Sequence, residues 1–264
     1  MLSITPTVRN LIILNILFYI VDKFLNGFLS NAFALRPILS SQFMPYQFVS
    51  YMFLHSLSDW GHIFSNMFGL FMFGPMLERE WGSKKFLFFY FFTGIGAGLL
   101  FSAIGYYENT QLLKAVEVYL QSPTPDGMVD FMSTHAKGFY QSVLTFLNEF
   151  EENPTDPSYI QKSIGIVKEI YQLQNNVPMV GASGAIFGIL MAFGLLYPNM
   201  EMMLLFVPFP IKAKYFVAFY GLFELYSGIK NAQSDNVAHF AHIGGMLFAY
   251  ILLRFWNTRK KNSY

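Results

Sequence analysis

Four polar side chains sit in stretches otherwise built from Phe, Leu, Ile, Met, Ala and Gly. His62 and Asn66 lie in DWGHIFSNMFGLFMFG, Ser183 in GASGAIFGILMAFG, and His242 in AHFAHIGGMLFAY. A serine hydroxyl is a weak nucleophile until a base takes its proton, and histidine is the usual base. Acyl transfer also needs donors where negative charge grows on the carbonyl oxygen. Asn66 offers an amide N–H and His62 a ring N–H. The two are four residues apart, hence on one face of a helix. Ser183 is expected in the first turn of a helix, where its backbone N–H lacks a helical acceptor and the dipole is positive. The chemistry read from these types is therefore nucleophile Ser183, general base His242, and an oxyanion hole made by Asn66, His62 and the Ser183 backbone. No carboxylate is expected at the depth of His242, so the arrangement reads as a Ser-His dyad.

The elements that must position these residues are membrane spans. Of 264 residues, 54% are hydrophobic and 12% charged, and the mean hydropathy is +0.38. The charged share is about half that of a soluble domain. This excludes an ordinary soluble globule and also a disordered chain. A formal net charge of +1 gives no basic footprint for nucleic acid. The absence of cysteine excludes disulfides and thiolate chemistry. A bilayer core needs about 20 apolar residues of helix. Six segments qualify: Val8 to Phe28, Asp59 to Leu77, Phe86 to Tyr106, Met179 to Tyr197, Ile211 to Ile229, and Val237 to Trp256. The first is expected to be retained, since a signal peptide ending at Ala32-Phe33-Ala34 would have too long a c-region. Met200 to Ile211, broken by Pro208 and Pro210, is expected to be an interfacial connection.

Lysine and arginine set the orientation. With the N-terminus inside, ten fall on the inner side: Arg9, Arg79, Lys84, Lys85, Lys212, Lys214, Arg254, Arg259, Lys260 and Lys261. Short outer segments carry three: Lys23, Arg36 and Lys230. The expected topology is N-in, C-in. The second, fourth and sixth spans then all enter from the outer face. Asn66, Ser183 and His242 lie roughly 6–10 Å below it at 1.5 Å per residue. One amide, one hydroxyl and one imidazole thus arrive in one layer from three helices. Gly181, Ala182, Gly184, Ala185 and Gly188 give the fourth span a bare surface, matched by Gly245 and Ala249 on the sixth. Such surfaces let membrane helices approach closely.

Tyr107 to Val177 is different in composition, with nine acidic residues and four lysines (Lys114, Lys137, Lys162, Lys168). It is expected to form an outer helical cap of three amphipathic helices. One face carries Leu112, Leu113, Val116, Tyr119 and Leu120. A second helix runs through Phe131, Phe139, Val143, Phe146 and Phe150. A third holds Ile160, Ile164, Val167 and Tyr171, with Asp156 as cap and Pro157 at its first position.

Five stretches in order resemble the rhomboid intramembrane serine proteases: FLHSLSDWGHIFSNMFGLFMFG, EREWGSKKFLFFYFFTGIGAG, GASGAIFG, VPFPIKAKYF and AHFAHIGGMLFAY. Together with the first span they cover the chain apart from the insertion. The resemblance implies an all-α membrane protein: a six-transmembrane-helix rhomboid-like bundle, N-in/C-in, with a helical extramembrane insertion between helices 3 and 4. Residues 1–106 carry helices 1–3, 107–177 the insertion, and 178–264 helices 4–6. It implies an endopeptidase that cleaves transmembrane segments of other proteins without metal or cofactor. Ser183 would be the nucleophile, His242 the base, and Asn66, His62 and the Ser183 amide the oxyanion hole. Gly181, Gly184 and Gly245 support the site, and Phe187 would pack under the histidine ring. The partners implied are the lipid bilayer and transmembrane protein substrates, with no nucleic acid. The location implied is a bacterial cytoplasmic membrane, with the site opening outward. The alternative is a non-catalytic rhomboid-like protein that binds membrane segments.

Other polar residues read as structural. His55 is expected to hydrogen-bond near the interface, Glu78 with Trp81-Gly82 to organise an inner turn, and His135 to be solvated. Glu224 in the fifth span is expected to pair with a neighbouring helix. His239 and His242 form H-x-x-H, but a zinc site wants three or four converging ligands. No Asp or Glu is expected to accompany them at the site, so a metal is not expected. A soluble-hydrolase elbow is excluded because Ala185 stands where its second glycine belongs. A transporter is disfavoured because the polar cluster is not at the midplane.

Overall fold

The computed structural model describes residues 3–203, 209–231 and 238–261, and the chain is mostly helical. Helix α1 (Pro6–Phe24) starts with proline at its first turn. The Glu78 carboxylate caps it, accepting from Thr7 N–H at 2.9 Å, Val8 N–H at 3.0 Å and the Thr5 hydroxyl. It also accepts from Ser83 Oγ at 2.6 Å. Glu78 therefore ties the start of α1 to the turn at Gly82, as the inner-turn reading requires. Short helices α2 (Phe28–Phe33) and α3 (Gln47–Ser50) follow in the loop after α1. Helix α4 (Trp60–Trp81) is capped by Asp59, whose carboxylate accepts from Gly61 N–H. Gly82, at φ 76°, ends α4 in a conformation open to glycine.

Helix α5 (Ser83–Gln121) is 39 residues long, or roughly 58 Å at 1.5 Å per residue. A bilayer core is about 30 Å thick, so half of α5 must stand outside one. The expected boundary at 106/107 is not a break: one helix runs across it. Among the described residues, α5 is the helix long and apolar enough to cross a membrane by length and composition.

The insertion packs three further helices on the distal half of α5: α6 (Pro125–His135), α7 (Tyr140–Glu152) and α8 (Pro157–Gln174). The expected single helix through Phe131 and Phe150 is two helices, parted by a 3-10 turn at Lys137–Phe139. The stripe there is apolar on both sides of the break, so periodicity alone missed it. Asp156 does cap α8, accepting from Ser158 N–H at 2.8 Å, with Pro157 in the first turn. These helices enclose a core of their own, including Val116, Met128, Phe131, Phe150 and Val167, separate from the main one.

Helix α9 (Ser183–Leu196) is apolar but only 14 residues long. Strands β1 (Glu201–Met202) and β2 (Ile211–Lys212) pair antiparallel. They lie in the expected interfacial connection, whose Pro208 falls outside the described residues. Helices α10 (Ala213–Asn231) and α11 (His239–Lys261) complete the bundle.

Helices α5, α9 and α11 meet backbone to backbone. A Cβ on Gly245 would lie 1.8 Å from the Gly184 carbonyl oxygen. One on Gly184 would lie 2.4 Å from Ala97 Cβ, and one on Gly244 2.9 Å from Ala97 Cα. The small residues thus act as the contact surface itself, as close helix packing demands.

Candidate active site

Ser183 is the first residue of α9, so its N–H and those of the next turn have no acceptor within the helix. The chain reaches it through an extended segment. Met179 pairs with Leu35 by two backbone hydrogen bonds, and Gly181 N–H donates to the Tyr51 carbonyl at 3.0 Å. Gly181 has φ 129°, a value that side chains rarely adopt. A Cβ there would sit 2.8 Å from His62 Nε2 and 3.6 Å from Ser183 Oγ. The glycine is needed twice: for its backbone angle, and to keep clear the space between ring and hydroxyl.

His242 stands on the first turn of α11. Its Nε2 is 2.9 Å from Ser183 Oγ, and its Nδ1 is 2.8 Å from Glu224 Oε2. A carboxylate on Nδ1 holds the ring proton there and leaves Nε2 as an acceptor for the serine hydroxyl. Phe187, one turn after Ser183, stacks on the imidazole with centroids 4.1 Å apart and planes 6° from parallel. The ring is therefore fixed from three sides: by Glu224, by Phe187 and by the serine.

On the opposite side, Ser56 N–H donates to His62 Nδ1 at 3.2 Å. Neutral His62 then carries its proton on Nε2, the nitrogen that faces Gly181 and Ser183. Asn66 lies a turn deeper and is 4% exposed. Its Nδ2 donates to the His62 carbonyl at 2.7 Å, leaving a second amide proton to give. Its buried Oδ1 has no hydrogen-bond partner among the described residues. A buried orphan oxygen is uncommon and marks a place where water or a ligand N–H belongs. His55, by contrast, bonds Asn15 Oδ1 at 2.9 Å and braces α1.

Two expectations change here. The dyad reading placed no carboxylate at the depth of His242, but Glu224 is in contact with it. Glu224 does pair with a neighbouring helix, and its partners are His242 and His239, whose Nδ1 is 2.6 Å from the same oxygen. The ground for setting metal aside, that no acidic residue accompanies His239 and His242, also falls. Glu224 comes from α10, a helix away in sequence and adjacent in space.

The Rhomboid domain pattern matches residues 42–116 and 137–257, most of the chain. The chain belongs to the rhomboid family. Among curated relatives, Rhomboid-like protein 11, chloroplastic, of Arabidopsis thaliana is 44% identical over 55 residues, covering 21% of this chain and 19% of that protein. This rhomboid chain thus aligns with only about a fifth of that relative's length. The match lends no support to the bacterial membrane expected above. No solved structure matches the chain. Rhomboid membership accounts for the segments on both sides of the insertion. The family pattern leaves out 117–136, where the end of α5 turns into α6.

Proposed function

We propose that this chain is an intramembrane serine endopeptidase that cleaves transmembrane segments of membrane proteins. The observation that carries the proposal is the aligned set Ser183 Oγ, His242 Nε2 and Glu224 Oε2, with separations of 2.9 and 2.8 Å. Simple small-residue packing does not require a serine, an imidazole and a carboxylate in register.

In the proposed reaction, Ser183 Oγ attacks the substrate carbonyl carbon while its proton passes to His242 Nε2. The imidazolium formed is stabilised by the Glu224 carboxylate, which stays ionised. Negative charge on the carbonyl oxygen is met by the Ser183 N–H, His62 Nε2–H and an Asn66 amide N–H. His242 then protonates the leaving amine, and the acyl-enzyme remains. A water gives a proton to the same nitrogen as it attacks the acyl carbon; the bond from that carbon to Ser183 Oγ then breaks, Oγ takes the proton back from His242, and the acid leaves. No cofactor takes part.

Six helices, α1, α4, α5, α9, α10 and α11, would span the bilayer, N-in and C-in. Apolar outward faces on α1, α4, α5, α10 and α11 support the spanning: Ile13, Leu17, Phe68, Phe88, Phe219 and Ile251 are all about half exposed or more. A soluble monomer rarely shows so large an apolar belt. Helix α9 is roughly 21 Å long, too short to cross alone. The extended chain before it would complete the passage and set Ser183 below the outer surface.

The test is cleavage of a model transmembrane substrate in liposomes by wild type, Ser183→Ala and His242→Ala. The expected result is loss of about 1000-fold or more in both variants. Binding of the substrate by wild type without any cleavage would overturn the reading in favour of a non-catalytic binder.

A further inference from the structure

One carboxylate oxygen serves two histidines, and the proposed hydrolysis uses only one of them. His239 Nδ1 and His242 Nδ1 lie 2.6 and 2.8 Å from Glu224 Oε2. Glu224, His239 and His242 are 3%, 7% and 8% exposed. Their ligand-capable atoms all fall within 4.8 Å of one another. Glu224 is a buried carboxylate, and a buried charge has to be paired or to coordinate a metal. A divalent cation would offset it.

We infer that Glu224, His239 and His242 form a Zn²⁺ site that reversibly shuts down the neighbouring serine. Two imidazoles and a carboxylate suit zinc, which binds His nitrogen and Glu oxygen at about 2.0–2.2 Å and leaves a fourth position for water. Tetrahedral ligands stand roughly 3.3 Å apart at those bond lengths. The Glu224 oxygen therefore needs to draw back from each nitrogen by roughly 0.5–0.7 Å, within reach of a Glu side-chain rotation.

The inhibitory consequence rests on the protease reading. A metal on His242 Nδ1 takes the lone pair of that nitrogen, so the neutral ring carries its proton on Nε2. No proton is lost: the one donated to Glu224 moves to the far nitrogen by exchange with water. Nε2 then donates to Ser183 Oγ instead of accepting from it. The nucleophile keeps its proton and its base is gone. His239 has no such part in hydrolysis, so zinc sensitivity and catalysis separate at this residue.

The experiment uses the purified full chain in detergent, titrated with Co²⁺ as a spectroscopic stand-in and competed with Zn²⁺. The expected result is one Co²⁺ per chain with the visible bands of a tetrahedral site, abolished by stoichiometric Zn²⁺. His239→Gln and His239→Ala should each weaken binding by about 100-fold, while His135→Ala in the insertion should not. In the cleavage assay, micromolar Zn²⁺ should inhibit wild type and lose its effect on His239→Gln. The inference is overturned if wild type shows no cobalt bands, or if both His239 variants bind as wild type does. Zinc binding without cleavage by any form would leave this site standing and remove the protease reading. Cleavage without metal binding would do the reverse.

Discussion

At the residue scale, the structure adds a member to the constellation. Ser183, His242, His62 and Asn66 are visible in the sequence because each is a polar side chain in an apolar run. Glu224 satisfies the same criterion, but the fifth span runs the opposite way, so its depth counts from the other end. Glu224 lies five residues before Ile229, roughly 8 Å from that end, in the same layer as His242. Its role in positioning the base is testable. Glu224→Gln keeps the shape of the side chain but presents either an amide N–H or a weaker acceptor to Nδ1. With Glu224 orienting His242, kcat should fall by about 10-fold or more with little change in KM, because imidazolium stabilisation acts only in the transition state. Glu224→Asp should recover part of the loss. Activity within about 2-fold of wild type for Glu224→Gln would show His242 working as one half of a dyad.

At the element scale, the site depends on how close three helices come. The Ser183–His242 contact joins the first turns of α9 and α11, and the Gly184–Gly245 crossing lies one turn below it. Adding a single methyl at Gly245 puts carbon 1.8 Å from a backbone oxygen, which no side-chain rotation relieves. Gly245→Ala should therefore push α11 away from α9, cost about 3 kcal/mol or more, and remove cleavage. Thermal unfolding of the detergent-solubilised variant measures the first effect. Gly105→Ala is the control, since nothing lies within 4 Å of its Cβ position, and it should unfold and cut as wild type does. The bare face of α9 was legible from GASGAIFG, and so was its partner on α11. What the sequence hid was the length of the helices. Met179 to Ser183 is as apolar as the helix that follows, yet its backbone hydrogen bonds go to Leu35 and Tyr51. Pairing between distant segments leaves no local periodicity to read. The same holds for α5, whose apolar run ends near Tyr106 while its hydrogen-bonded turns continue to Gln121. Charge and hydropathy mark where a helix leaves an apolar medium, and the helix itself need not stop there.

At the scale of the whole molecule, the insertion stands at the end of the bundle that holds Ser183 and is fastened at both of its ends. The stem of α5 carries it out of the core. At its return, Arg36 Nη1 donates to the Asn176 carbonyl at 2.9 Å and Ser40 Oγ bonds Asn176 Oδ1 at 2.8 Å. Burial lowers the Arg36 pKa from its usual value, which for an arginine leaves the charge in place at neutral pH. Three residues after Asn176, Met179 pairs with Leu35, and Gly181 begins the site. The loop after α1 therefore touches both the foot of the insertion and the approach to Ser183. The two apolar cores are separate, so removing the insertion exposes little of the bundle's interior. Replacing Asn109 to Asn175 by a short linker should leave a folded chain that still cleaves a small model substrate. If the insertion limits which segments reach Ser183, the truncated form should gain or lose about 10-fold in kcat/KM on some members of a substrate panel and not on others. Such a spread corresponds to about 1.4 kcal/mol of differential transition-state binding. A uniform change across the panel would instead show that the insertion acts on the site as a whole, through Asn176 and the loop after α1. Arg36→Ala on the full-length chain separates these cases. It cuts one of the two contacts to Asn176 while leaving the insertion in place, and should reproduce a uniform loss but not a change in substrate preference.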